Sequence, residues 1–267
     1  MIKDFSLQEA MYQIGDCYES MKEVFPFMKK NKLWRGISQH KWIALATFII
    51  SLLITYILFL NCLEYFSIDP VEARSLNLNL EDEIGEEKMD KLKAAGKATL
   101  LTGGWKNLFL ILSEVIIFFF ATKALATIKG IKISPTFKQF MKAQKRMILV
   151  MVRNFIKAII ISIPIHIIFG ILSIHEHVGK VMFFVYAYYI GLAFLDNYSE
   201  QFEIPIDESC QRIYVHRYAS TFLGVVISIF LYIPFIGPLI TPLFGAIAAT
   251  LYGHKNSLEH LEPEEIF

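Results

Sequence analysis

One uninterrupted apolar run stands out along the chain. From Trp42 to Leu63 the sequence WIALATFIISLLITYILFLNCL has no charged residue in 22 positions. A helix needs roughly 20 apolar residues to cross the hydrocarbon core of a bilayer, so this segment predicts a full span. It begins too late and runs too long for a cleaved leader, and it has no small-residue cleavage site. A second run, about 105–128, is interrupted once, by Glu114. One acid costs about 2.5–3.5 kcal/mol on insertion scales, which the flanking LFLIL and VIIFFFA can offset. It predicts a second span, with Trp42 and Trp105 as interfacial anchors.

Past Lys129 the apolar runs are shorter or broken. Residues 147–172 carry Arg153, Lys157, Pro164 and His166. SIHEHVGK (173–180) ends that run, and VMFFVYAYYIGLAFL (181–195) has 15 residues. As a helix it would reach about 22 Å, short of a full crossing. Next come TFLGVVISIFLYI (221–233), PFIGPLITP (234–242) and LFGAIAATLYG (243–253). Pro234, Gly237, Pro238 and Pro242 cannot share one straight helix. These lengths fit two helical hairpins, about 146–195 and 220–253, that enter the membrane and return to the same side. Irregular backbone at that depth must be shielded by protein or line a wet cavity. The competing pattern is four thin, tilted spans, six in all.

Residues 5–30 show Leu7, Met11, Ile14, Tyr18, Met21, Phe25 and Met28 at spacings of three and four, an amphipathic helix. It fits the interface plane of a membrane or a partner helix equally well. The expected organisation is an amphipathic cytoplasmic or interfacial segment (1–41), an all-α membrane domain (42–253) and an acidic C-terminal tail (254–267).

Composition agrees with a membrane protein: 55% of residues are apolar and 19% charged, against about 45–50% and 25% in soluble domains. The net charge of +1 conceals a strong asymmetry. No acid lies between Glu114 and Glu176, an interval holding nine Lys or Arg residues. The segment before Trp42 has seven more, whereas 64–104 has nine acids against five basic residues. The positive-inside rule puts the basic regions in the cytoplasm and 64–104 outside, as a solvated cap or spacer. Two spans and two hairpins then leave both termini cytoplasmic. The basic block serves topology and headgroup contact, or forms an anion-attracting vestibule. Cys17, Cys62 and Cys210 have no metal or redox spacing.

At 190–253 the pattern becomes specific. An aromatic segment ends in an acidic turn (Phe194, Leu195, Asp196, Tyr198), an amphipathic stretch follows (207–218), and then the Pro/Gly hairpin with Ile233-Pro234, Ile236-Gly237, Thr241-Pro242 and Ala246 through Thr250. This resembles the CysZ-type sulfate permease family, which includes the eukaryotic etoposide-induced transmembrane proteins. KISPTFKQFMKAQKR (132–146) is similar to that family's Ser/Ala-Pro-Phe element. The resemblance implies two true transmembrane helices and two membrane-penetrating hairpins. It further implies an anion permease, with sulfate as the first candidate. The family's arginine-containing element before the first span is here GISQHKWIALAT (36–47), with His40 and Lys41 in place of an arginine pair. The early proline of the first span is absent. The fold therefore carries over better than the substrate.

Candidate chemistry follows from charge at membrane depth. Glu114, nine residues or about 14 Å from Trp105, is a proton site or a partner for Arg153 or Lys157. Arg146, Arg153 and Lys157 share one helical side and either line an anion route or snorkel to the interface. His40 and Lys41 occupy the positions of the family's anion ligands. Ser134, with Pro135 at the first helical position, marks a helix start able to cap or to bind an anion. Pro234, Gly237, Pro238 and Pro242 shape a hairpin tip. His166, His175, Glu176 and His177 lack metal spacing. No catalytic constellation, cofactor fingerprint or nucleic-acid motif occurs. The reading is a permease or channel for a small anion, passive or proton-coupled. It would be homo-oligomeric and bound by lipid in a bacterial cytoplasmic membrane. The alternative is a non-transporting membrane-organising or adaptor protein of the same fold.

Overall fold

A computed structural model describes residues 6–35, 110–131, 136–172, 174, 177–231, 233 and 236–260. The first predicted span, the loop 64–104, His40, Lys41, Ser134, Pro135, His175, Glu176 and Pro234 lie outside the described residues.

Helix starts and stops follow local chemistry. Ser6 caps α1 (Leu7–Asn31), its hydroxyl accepting from the Glu9 amide at 3.3 Å. Lys32, at φ 49°, ends it in a left-handed turn, with Lys29 and Lys30 beside the last carbonyls. Helix α2 (Leu110–Lys129) lies in the second predicted span. Thr136 and Gln139 form a reciprocal capping box that opens α3 (Phe137–Ile171). The cap is thus Thr136, two residues beyond the expected Ser134, because the Gln side chain three positions on completes the box. Then come α4 (Val178–Glu200), α5 (Ile206–Val215), α6 (Arg217–Leu231) and α7 (Ile236–Lys255). Among the described residues no strand occurs.

Two expected elements change in extent. The charged residues of 147–172 do not break the helix: α3 runs 35 residues, about 52 Å, through Arg146, Arg153, Lys157 and Pro164. Arg146 and Arg153 find acids later in the chain, Asp196 and Asp207. Likewise α4 extends beyond 181–195 at both ends, to 23 residues. Helices α2, α3 and α4 are each long and apolar enough to cross a membrane, so length no longer confines 146–195 to a shallow hairpin. The bent pair α5–α6, turning 95° at His216, would add a fourth if counted as one span. In the second apolar region α6 ends at Leu231 and α7 begins at Ile236. Gly237 and Pro238 fall in the first turn of α7, where no helical N–H partner is required, and Pro242 lies inside the helix.

The core is built around α4, which is buried almost continuously from Tyr189 to Ser199. Helix α6 crosses it with backbone nearly touching backbone. A Cβ on Gly191 would lie 1.8 Å from the Ser220 carbonyl oxygen, and one on Gly224 would lie 1.7 Å from that of Ala187. Ala187/Gly191 and Ser220/Gly224 are each four apart, the small-residue spacing of close membrane helix pairs. On α7, Gly245 and Gly253 make room for the rings of Phe194 and Tyr198.

Helix α1 packs on α6 and α7 through Ala10, Gln13, Cys17, Ser20, Met21 and Val24. Of the predicted apolar stripe only Met21 joins this face fully; Leu7, Met11, Ile14, Tyr18 and Phe25 remain exposed. The Gln13 amide donates to the Val215 carbonyl at 2.8 Å and the Cys17 thiol to that of Ala219 at 3.7 Å. The small and polar residues of α1 are what fit against the α5–α6 corner. By contrast α3 turns an almost unbroken aliphatic surface outward: Ile156, Ile160, Ile163, Ile167, Ile168 and Ile171 are all more than half exposed. That surface suits lipid, not water.

Candidate intramembrane polar site

The same three membrane-length helices enclose a polar cluster. From α2 comes Glu114, fully buried, with neither carboxyl oxygen in a good hydrogen bond. The adjoining Ser113 hydroxyl is likewise buried without a partner. From α4 come Asp196, Asn197 and Glu200. Glu200 and Asp196 are the charged groups acting most strongly on Glu114, and the Asn197 amide is the polar side chain facing it. The Asn197 Oδ1 atom is itself buried and unpartnered.

Arg146 of α3 supplies the cation. Its Nε donates to Asp196 Oδ2 at 2.9 Å and its Nη2 to Oδ1 at 2.7 Å, a two-pronged pair; Nη1 donates to the Ile204 carbonyl. The side chains of Arg146 and Asp196 are 13% and 4% exposed. Such a pair persists only because every prong is satisfied. Asp196 and Glu200 thus both act on one guanidinium, and the same two acids act on Glu114 of α2. Cross-links hold the helices in register: Gln144 Nε2 donates to the Ile111 carbonyl at 2.9 Å, and the Thr122 hydroxyl to Gln201 Oε1 at 3.0 Å.

The other predicted cations lie along the same side of α3. Arg153 is paired with Asp207 at the start of α5. Lys142 is paired with Glu203 at 2.6 Å, both exposed. That lysine holds the Glu203 carboxyl below its ordinary range, first through the hydrogen bond and then through its charge. Lys157, half-buried, lies near Cys210. The stripe is real as a row, but Arg146 and Arg153 face carboxylates of the chain itself. Glu114 meets neither Arg153 nor Lys157 in an ion pair; its neighbours are the α4 acids. His166 Nδ1 lies 2.7 Å from the Ser162 carbonyl, and His177 precedes α4. Among the described residues no group of three His, Cys, Asp or Glu could hold a metal.

Sequence reading missed Asp196, Glu200 and Asn197 as site residues. The available signal was their spacing: acids four apart at the end of an apolar run, on one helical face.

Among the described residues, fold and site together define an all-helical arrangement with three helices apolar and long enough to cross a bilayer, enclosing a buried charged cluster. No protein-family model matches the chain, and no curated protein matches it either.

Proposed function

We propose that this protein is a membrane permease for a small anion, with sulfate as the first candidate. Arg146, held among α2, α3 and α4, is the anion-binding group. The observation that carries this reading is the buried two-pronged Arg146–Asp196 pair beside the unpartnered Glu114. Intramembrane ionisable residues mark transport pathways more often than structure, and the guanidinium fork that grips a carboxylate matches an oxyanion equally well. Arg153 and Lys157 continue the row of positive charge along α3 and guide the anion toward Arg146. His40 and Lys41, at the positions where CysZ-type permeases bind anions, are further anion-binding candidates. The resemblance to that family supports the same function. The protein acts as a homo-oligomer in a bacterial cytoplasmic membrane, with both termini inside.

Uptake of labelled sulfate, phosphate and nitrate into liposomes containing the purified protein tests this. The expected result is saturable uptake of at least one of them above that of empty liposomes. Absence of uptake for all three would overturn the reading.

A further inference from the structure

We infer that Glu114 is the proton-binding group of this site, and that protonation of the α4 acids beside it releases Arg146 from Asp196. The inference rests on the permease reading for its consequence, but the proton site itself does not depend on transport.

Three features of geometry lead here. Glu114 is fully buried, and no described basic side chain is bonded to it. A carboxylate in that position has nothing to offset its lost hydration, whereas a neutral carboxyl does not need it. Its strongest charged neighbours, Glu200 and Asp196, are themselves acids. Facing it, the buried Asn197 Oδ1 lacks a partner, so a carboxyl O–H has an acceptor within its own site.

The charged and titratable groups around it are few. Helix α4 presents Asp196 and Glu200. Helix α3 presents Arg146, with Lys142 acting on Glu200. Helix α5 presents Cys210, which lies near Arg146 and Asp196. Arg146 pairs with Asp196 and Lys142 acts on Glu200, so Glu114 is the carboxyl with no bonded cation, and a proton takes that place.

The exchange balances. In the resting state Glu114 keeps its proton and Asp196 is ionised against Arg146. Glu114 hands its proton to Asp196 and takes another from the entry side, and a second entering proton neutralises Glu200, so the guanidinium lets go of Asp196. A sulfate dianion then takes the two donors at Nε and Nη2. Two protons and two negative charges enter together, so the buried charge is unchanged. When the anion leaves, both protons leave with it, and Asp196, ionised again, recovers Arg146.

Two measurements on the full-length protein test this. The first is infrared spectroscopy of the purified protein at neutral pH. A carbonyl band of a protonated carboxyl is expected in the wild type, missing in Glu114→Gln and shifted in Glu114→Asp. No such band, or its persistence in Glu114→Gln, would overturn the proton site whether or not the protein transports. The second is sulfate uptake into liposomes carrying an internal pH dye. Internal acidification accompanying uptake is expected in the wild type, falling at least tenfold per sulfate in Glu114→Gln. Sulfate entry with no acidification, or equal acidification in the variant, would overturn the coupling. Absence of sulfate entry in the wild type counts against the permease reading alone, and the infrared band then decides the proton site.

Discussion

At the scale of single residues, the Arg146–Asp196 pair dominates. Removing one partner of a buried pair strands the other charge, at a cost of about 3–5 kcal/mol. Asp196→Asn is therefore expected to lower the unfolding temperature of the detergent-solubilised protein sharply. The double change Arg146→Met with Asp196→Leu should recover most of the loss, because an apolar pair has no charge to desolvate. Recovery of stability without recovery of uptake would show that the pair is kept for function. The exposed pairs Arg153–Asp207 and Lys142–Glu203 should contribute little to stability. Cys17 gives a second residue-scale expectation. Burial first, and the neighbouring Asp16 second, push its thiol from an ordinary 9.0 up to about 12. The thiolate fraction at pH 8 falls by roughly a thousandfold. With Cys62 and Cys210 changed to Ser, alkylation of Cys17 should be slowed by that factor until the protein unfolds. The linkage sign follows: the unfolded chain loses this proton first, so stability falls as pH rises from about 9 toward 12, with no effect below.

Among elements, the α4–α6 crossing is the most exacting. Gly191→Ala puts a methyl group 1.8 Å from a carbonyl oxygen of the backbone. Neither helix can yield without separating, so a loss of at least about 3 kcal/mol, or failure to fold, is expected. Gly15→Ala is the contrasting case. Gly15 sits mid-helix in α1 with nothing within 4 Å of a new Cβ, and the change should stabilise by about 0.5–1 kcal/mol. Thermal unfolding of the two variants checks both signs. The element scale also shows what the sequence made legible. The second span, the α3/α4 break near 172–177, the Pro/Gly break and the amphipathic α1 all follow from periodicity and breakers. Three things did not. The pairing of α3 with α4 joins residues 50 apart, Arg146 with Asp196, which no local pattern encodes. The buried face of α1 was displaced because Gln13 and Cys17 find backbone partners at the α5–α6 corner, a tertiary contact that outweighs the apolar stripe. The acids of α4 were hidden because Asp196 and Glu200 close an apolar run and read locally as its polar end.

For the whole molecule, a net charge of +1 and a 55% apolar content say little until they are mapped. The outward isoleucines of α3 and the buried charges among α2, α3 and α4 invert the arrangement of a soluble protein. Along α3 the isoleucines face out, while the Arg146–Asp196 pair and Glu114 lie inside. That inversion is stable only where lipid surrounds the helices. It places Arg146 where a water-soluble anion would otherwise find no counter-charge.

The most direct test is uptake of labelled sulfate by proteoliposomes of wild type and Arg146→Lys. Lysine keeps the positive charge but loses the two-pronged donor. Saturable uptake in the wild type, reduced about tenfold or more in a variant that still elutes as a single folded species, is the predicted result. Equal uptake by the two proteins would contradict Arg146 as the anion-binding group.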